Sequence, residues 1–343
     1  MHPHRPRIPP VEVDGPRPLW SVMIPTYNCA NYLRETLQSV LAQDPGPDRM
    51  QIEVVDDCST RDDPAAVVEE VGKGRVGFYR QPRNVGHVEN FNTCLRRSRG
   101  YLIHLLHGDD LALPGYYAAM ERAFAAAPEI GAAFCREVRI DETGQRLSIS
   151  SLLSDSSGIL DNWLETIAMG QRLQPPAMTV RREVYEHLGG FDRRITCYGE
   201  DWEMWVRIAA HYPVWYEAEP LAAYRIHRES LTGRGTRTGA HAADYRRVIE
   251  INRECLPLDR ADEWTEYATV SFAQACVRRG WRHLAKGEVR HAMVHFREGV
   301  RTSRSPIVFR EFGVFAVKFA ADAASYPLRA LRRRQGNLVR EEG

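Results

Sequence analysis

Two pairs of adjacent carboxylates, Asp56-Asp57 and Asp109-Asp110, follow segments that read as strands at residues 52–55 and 101–106. A single Asp after a strand is by default a turn residue or a helix cap. Two separate pairs at two strand ends are harder to assign to turns alone. Carboxylates gathered at one sheet edge repel one another, so a divalent cation or a set of hydrogen-bond donors must offset them. A third acidic group, Glu200-Asp201 with Glu203, opens a run that places Trp202, Trp205, Val206 and Ala209 on one helical face. A helix N-terminus favours the ionised form of a carboxylate, the form that takes a proton from a nucleophile. Trp202 and Trp205 either line a ligand site or pack in the core, and helical spacing favours the core.

The lysines exclude several other chemistries. There are three, Lys73, Lys286 and Lys318. No Gly-Lys-Ser/Thr occurs, so there is no P-loop. A receiver domain also carries an acidic pair after a strand, but it needs a lysine beyond its third acidic site, and none lies between Lys73 and Lys286. No G-x-G-x-x-G follows a strand, which removes the dinucleotide phosphate turn.

The elements that position these groups are legible as alternating runs. Strands are expected at residues 19–24, 52–55, 76–79 and 101–106, then at 131–136 and 221–226. Helices are expected over 31–43 and between Gly86 and Ser98, and a polar loop over 148–158. Alternating strands and helices predict an α/β domain with a mainly parallel sheet. Ligands bind such a sheet at the carboxyl ends of its strands. The polar residues gather there: Thr26-Tyr27-Asn28, Asp56-Asp57, Asn84 and Asp109-Asp110.

The chain has 343 residues, which predicts one large domain with an appendage. Lys and Arg number 46 against 45 Asp and Glu, so no global basic field for nucleic acid exists. Seven scattered cysteines without a C-x-x-C argue against a disulfide framework or a zinc finger and fit reduced thiols in a cytoplasmic protein. The first 18 residues hold six prolines and no apolar run, which reads as a disordered lead rather than a signal peptide. Residues 230–240, rich in Gly, Thr and Arg, read as a mobile loop. From 241 onward the chain is helical, with one stretch, 281–300, spaced like a helical-repeat pair. No run reaches the length of a membrane span.

Six segments in order resemble glycosyltransferase family 2. Ser21-Val22-Met23-Ile24-Pro25-Thr26-Tyr27-Asn28 is similar to its opening strand and loop. Val54-Val55-Asp56-Asp57-Cys58-Ser59-Thr60 resembles its VDDGST segment, with Cys58 where Gly is usual. Asn84-Val85-Gly86 with Asn92 resembles its N-x-G…N segment. Leu106-His107-Gly108-Asp109-Asp110, with Pro114 beyond, resembles its D-x-D region, with His107 at the first Asp. Gly189-Gly190-Phe191-Asp192 and Gly199-Glu200-Asp201-Trp202-Glu203 resemble its acceptor-side segments. The match runs from about Leu19 to Thr232.

The resemblance implies an α/β fold of GT-A type, a nucleotide-binding sheet fused to an acceptor-binding half, followed here by a C-terminal helical region. The expected divisions are a lead over 1–18, the glycosyltransferase domain over 19–235 and the helical region over 241–343. It implies a nucleotide-sugar donor, a UDP-sugar before others, a glycan or lipid-linked acceptor, and inversion by single displacement. Pro25, Thr26, Tyr27 and Asn28 would shape the nucleobase pocket, with Tyr27 stacking on the base and Asp56 or Asp57 accepting from its ring N–H. Asn84, Gly86 and Asn92 belong to the same donor site. Asp109 would bind a divalent Mn²⁺ or Mg²⁺ that bridges the diphosphate, His227 resembles the family's C-terminal metal-site histidine, and Asp201 resembles its catalytic base. Glu200 and Glu203 are weaker base candidates. With His107 in place of an Asp, the cation site has one negative charge fewer.

In the tail, Phe312, Phe315, Ala316, Phe319 and Ala323 fall at helical spacing, and Arg329, Arg332, Arg333 and Arg334 follow Pro327. This composition suits peripheral contact with the inner face of an anionic membrane, with Lys318 and Asp322 preventing a span. The alternative is that the phenylalanines pack on the helical region. For the whole chain, the alternatives to a transferase are a catalytically silent relative that binds a nucleotide or glycan, and a nucleotidyltransferase. The latter would need a Gly-rich basic loop where Pro25-Thr26-Tyr27-Asn28 stands.

Overall fold

A computed structural model describes residues 3–12, 15–227, 229–231, 233, 235 and 239–317. Strands β1 (Trp20–Thr26) and β2 (Met50–Asp56) are buried at every position, and their buried polar groups are paired, Ser21 Oγ donating to Gln51 Oε1 at 2.6 Å and Gln51 Nε2 to Glu53 Oε2 at 2.9 Å. Between them runs α1 (Ala30–Leu41), whose Leu33, Leu37 and Val40 face the sheet. Helix α2 (Pro64–Gly72) starts with Pro at its first turn and the Asp63 carboxylate capping Ala65 N and Ala66 N. It leads to β3 (Gly77–Arg80), and α3 (His87–Arg97) leads to β4 (Leu102–Leu105). β5 (Leu111–Ala112), α4 (Tyr116–Ala126), β6 (Ala132–Ile140), β7 (Arg146–Ile149), β8 (Gly158–Ile159) and α5 (Trp163–Ala168) follow. Then come β9 (Met178–Arg181), α6 (Arg182–Leu188), α7 (Glu200–Ala209) and β10 (Val214–Arg225). The chain continues with α8 (His241–Arg253), α9 (Ala261–Ala285) and α10 (Val289–Thr302), and residues 306–317 are also helical.

The main strand path is β3-β2-β1-β4-β9-β6-β10-β5, with β7 beside β6 and β8 beside β10. The first four strands are parallel, in a register that sets Thr26 beside Asp56 and Met23 beside Leu105. The chain moves outward from β1 through β2 to β3, then returns to place β4 on the other side of β1. That reversal is a topological switch point, and it opens a crevice at the carboxyl ends of β1 and β4.

The structure corrects three expectations. The sheet is mixed rather than mainly parallel, because β9 runs antiparallel to both β4 and β6 and so joins the parallel strands β1 to β4 to the parallel pair β6 and β10. The polar loop expected over 148–158 is shorter, because its first two residues end β7 and its last opens β8, leaving 150–157 as the connection. The lead described here is not disordered: Ile8 is fully buried in the main core. Gly190 N donates to Pro6 O at 2.8 Å, Arg193 N to His4 O at 3.0 Å and Arg182 Nη2 to Pro9 O at 2.8 Å. Proline-rich backbone is already extended, so fixing it as a strap costs little entropy.

The helical region shares the core of the sheet domain. Trp264, Ala268, Phe272 and Cys276 of α9 belong to the same buried cluster as β1. A small separate cluster of Ala273, Val277 and Val308 has Phe312 packed against it. Phe312 meets Phe296 at 5.2 Å between ring centres, and Phe315 lies over Trp281 at 6.4 Å. These two phenylalanines therefore take the packing role. Lys318, Phe319, Asp322, Ala323, Pro327, Arg329 and Arg332–Arg334 lie outside the described residues, as does part of the loop 230–240. Among the described residues, no helix is long and apolar enough to cross a membrane.

Candidate active site

A cleft of about 740 Å³ opens at the switch point. Its lining includes Pro25–Cys29 at and beyond the end of β1, Asp57 after β2, Asn84, Gly86 and His87 at the start of α3, and His107–Asp109 after β4. Glu200 and Asp201 from α7, with His227 after β10, complete it.

The loop after β1 is held by the loop after β2. Asn28, at φ 52°, accepts at Oδ1 from Thr60 N and Arg61 N, both at 2.9 Å, and its own N donates to Ser59 Oγ at 2.8 Å. Asn tolerates this left-handed conformation better than most residues. Tyr27 projects from the loop with 41% of its surface exposed, free to stack on a flat ligand. Asp57 is buried and accepts from Val85 N at 2.7 Å and Gly86 N at 3.0 Å, while Asn84 Nδ2 donates to Asp57 O at 3.2 Å. Burial pushes the Asp57 carboxyl above its usual range against the pull of these two N–H groups.

Two expected donor-site residues sit beneath the cleft instead of on its wall. Asp56 is fully buried, paired with Arg80 at 2.7 Å and accepting from Ser59 N at 3.2 Å. Asn92 is fully buried and staples α3 to the segment between α6 and α7: its Oδ1 accepts from Phe191 N at 2.8 Å and its Nδ2 donates to Phe191 O at 3.2 Å. A Cβ at Gly190 would lie 2.2 Å from Asn92 Oδ1, which explains why glycine stands there.

On the β4 side, Gly108 passes so close to the β1 loop that a Cβ would meet Thr26 Oγ1 at 3.0 Å and Cys29 Sγ at 3.1 Å. Asp109 Oδ2 lies 3.0 Å from His227 Nε2. Burial alone would raise the Asp109 carboxyl, but His227 and His107 outweigh it and hold the group below its usual range. His107 stacks on Phe91 at 4.9 Å, and burial pushes its imidazole pKa below the usual range. Its Nε2 is buried with no hydrogen-bond partner, and its ligand atom clusters with oxygens of Asp109 and Asp110 within 4.8 Å. A neutral imidazole nitrogen with carboxylate oxygens is a donor set that fits a divalent cation.

Sequence reasoning missed Arg225, which organises this corner. It is buried, donates from Nε to Asp109 O at 2.9 Å and from N to Asp110 Oδ1 at 2.9 Å, and pairs with Glu35 at 2.6 Å. An arginine inside a strand carries no signal of its own in a single sequence.

Helix α7 presents the third acidic group. Its N-cap Gly199 has φ 84°, and a Cβ there would touch Val248 Cγ2 at 3.1 Å. Asp201 Oδ2 accepts from Gln171 Nε2 at 2.6 Å, and Gln171 Oε1 accepts from the Tyr245 hydroxyl at 3.0 Å. The expectation that the helix end keeps Asp201 ionised is corrected. Burial first, then the neighbouring Glu200, push its pKa up to about 8, more than the helix dipole can offset. Glu200 is held on the other side: His87 Nε2 lies 3.4 Å from it, and that charge overcomes burial and keeps Glu200 low. His87 itself is raised, because Glu200, Asp201 and Asp57 together outweigh its burial. Glu203 points away into a buried pair with Arg207 at 2.8 Å. Trp202 and Trp205 are core residues, Trp202 Nε1 donating to Ile167 O at 2.6 Å.

Residues 21–189 match the family model for glycosyl transferase family 2. The chain belongs to glycosyltransferase family 2. An uncharacterised Mycobacterium tuberculosis protein is 29% identical over 70% of this chain and 77% of its own length. Escherichia coli chondroitin synthase is 30% identical over 38% of this chain and 19% of that protein. In structure, a Pyrobaculum calidifontis mannosyltransferase in complex with GDP-Man and Mn²⁺ superposes with a TM-score of 0.57 at 18% identity, over 94% of this chain and 85% of that one. S. aureus TarS in complex with UDP-GlcNAc also gives 0.57, at 15% identity over 82% and 92%. The fold of this family 2 chain is thus of GT-A type, with helices added at the C-terminus.

Proposed function

We propose that the chain transfers a sugar from a nucleotide-sugar donor to an acceptor hydroxyl by single displacement with inversion, in assembly of a surface polysaccharide or glycolipid. The observation that carries this is one cleft joining the strand-end groups Asp57, Asp109 and His227 to Asp201 at the start of α7. Tyr27 offers a stacking surface for the base, and Asp57 with the 84–86 loop closes the pocket around it. Asp109, His107 and His227 would hold a divalent cation. When bound, that ion stabilises the negative charge that develops on the departing diphosphate. Asp201 Oδ2 takes the proton of the acceptor hydroxyl, and Gln171 orients that oxygen. A carboxyl whose pKa is about 8 is a stronger base, once ionised, than an ordinary aspartate. One carboxylate acting on the face away from the leaving group gives inversion, the facial logic of inverting hydrolases with the acceptor in place of water.

GDP-Man and UDP-GlcNAc in the two solved relatives support a nucleotide-sugar donor, and Mn²⁺ in one of them supports the cation. A thermal-shift panel of nucleoside diphosphates and nucleotide sugars, with Mn²⁺ and with chelator, tests the reading. A ligand at 100 times its Kd adds about 2.7 kcal/mol of stability. No stabilisation by any nucleotide would refute it.

A further inference from the structure

Helix α9 contributes to the cleft as well as to the core. Arg279 and Arg282, three residues apart and so on one face, line the cleft together with Asp201, His241 and Tyr245. Other arginines of the lining are matched by acids: Arg225 by Glu35 at 2.6 Å, Arg139 by Glu137 at 3.6 Å and Arg61 by Glu229 at 3.8 Å. Arg278, which points elsewhere, is paired with Glu311 at 2.9 Å. Among the described residues, Arg279 and Arg282 have no carboxylate partner.

Arg279 is aimed by an imidazole. Its Nη1 lies 2.7 Å from His241 Nε2, while His241 Nδ1 lies 3.0 Å from Gly235 O. A carbonyl only accepts and a guanidinium only donates, so Nδ1 carries the proton and Nε2 accepts from Arg279. Burial and Arg279 push the His241 pKa down to about 4, which keeps it in that neutral form. Arg282 is exposed at the edge of the cleft, and partial desolvation together with the like charges of Arg279 and Arg278 beside it lowers its guanidinium pKa. Like charges held together without counter-charge are relieved by a bound anion. The pair also sits at the general-base end of the cleft. His241 meets Tyr245 at 6.1 Å between rings, Tyr245 donates to Gln171, and Gln171 donates to Asp201.

We propose that Arg279 and Arg282 form an acceptor subsite for a phosphate ester, so that the sugar is passed to a phosphate-bearing glycan, polyol or lipid rather than to a neutral one. Two guanidinium groups one turn apart present several N–H donors to the oxygens of a tetrahedral dianion, more than one carboxylate can use. This rests on the glycosyltransferase reading, and the same phosphate chemistry has a second source, the diphosphate of the donor.

The test separates the two. Full-length protein is saturated with UDP or GDP, whichever binds, in Mg²⁺, and glycerol 3-phosphate or glycerol is titrated in by calorimetry. Glycerol 3-phosphate is expected to bind beside the nucleotide, glycerol is not, and the affinity is expected to fall with added salt. Arg282→Gln should weaken glycerol 3-phosphate at least about tenfold, Arg282→Lys less, and both should leave nucleotide affinity within about twofold. Arg279→Gln, with a melt to verify folding, gives a second reading. Competition between glycerol 3-phosphate and the nucleotide, with nucleotide affinity lost in Arg282→Gln, would place the arginines on the donor diphosphate and overturn the proposal. No glycerol 3-phosphate binding to the wild type would overturn it as well. If no nucleotide binds, the transferase reading fails by itself, and titration of the nucleotide-free protein still reads the arginine subsite.

Discussion

His227 Nε2 lies 3.0 Å from Asp109 Oδ2, although 118 residues separate the two in the chain. The carboxyl end of β4 and the end of β10 meet at this contact, and Arg225 fixes both sides of it through Asp109 O and Asp110 Oδ1. Asp109→Asn is expected to weaken Mn²⁺ and nucleoside diphosphate together, because the carboxylate would hold the cation and the cation would in turn hold the diphosphate. Calorimetric titration of each ligand with and without the other checks it. Unchanged Mn²⁺-dependent nucleotide affinity in a folded variant would remove Asp109 from the cation site.

Asp201→Asn is expected to leave nucleotide binding near normal and lower transfer by at least about 10², the scale of general-base catalysis. Steady-state turnover beside a nucleotide titration reads both. Glu203 is not the fallback base, because it is buried in its pair with Arg207. If the Asn variant turns over normally, Glu200 is next.

The pH profile follows from the Asp201 pKa of about 8. Its carboxyl is protonated at neutral pH in the free protein, so kcat/KM should rise with pH and level off above about 8. Glu200→Gln removes the neighbouring charge and should move that limb to lower pH. The stability effect has the opposite sense. The folded pKa lies above the unfolded value near 4, so the contribution is present below about 4 and is lost as pH rises through about 8. A pH–rate profile of the wild type without a limb between pH 7 and 9 would contradict the assignment.

Much of this was legible because the family resemblance rests on local strings at strand ends. The first four strands, α1 and α3 follow from apolar runs and helical spacing, and Tyr27, Asp57, Asn84, Gly86, Asp109, Asp201 and His227 all reach one cleft. What the sequence hid depends on long-range pairing. Asp56 and Asn92 look like their functional neighbours in the string, yet Arg80 and the Phe191 backbone occupy them. His87 reads as a helix start until Glu200, far along the chain, stands beside it. β9 is four residues long and takes its direction from the strands on either side. Ile8, amid prolines, gave no periodic signal of burial, and Asp201 gave none of the burial that raises its pKa.

Cys58 stands at φ 61°, a left-handed conformation, in the segment where the family usually has Gly. Side chains with a Cβ are strained there. Cys58→Gly is expected to stabilise the fold by about 1 kcal/mol, read as a higher denaturation midpoint at unchanged m. A loss of stability would show that the thiol makes a compensating contact.

Ile8→Ala is expected to cost about 2–4 kcal/mol, the usual range for a large aliphatic removed from a packed core. Ile8 is fully buried, and the strap around it also carries Arg5, which pairs with Asp192 at 3.2 Å and Glu203 at 3.2 Å. Chemical denaturation measures it. A change under about 0.5 kcal/mol, the level of a surface substitution, would show that the lead is not part of the core.

Release of nucleoside diphosphate from nucleotide sugars, followed for wild type, Asp109→Asn and Asp201→Asn with Mn²⁺ and with chelator, tests the central assignment most directly. The wild type should release nucleoside diphosphate from at least one nucleotide sugar with Mn²⁺ and not with chelator. Asp109→Asn should lose that response along with donor affinity, and Asp201→Asn should bind the donor yet turn over at least about 10² more slowly. No release from any nucleotide sugar by the wild type, with donor bound, would contradict the transferase assignment and leave a silent binding protein on the same fold.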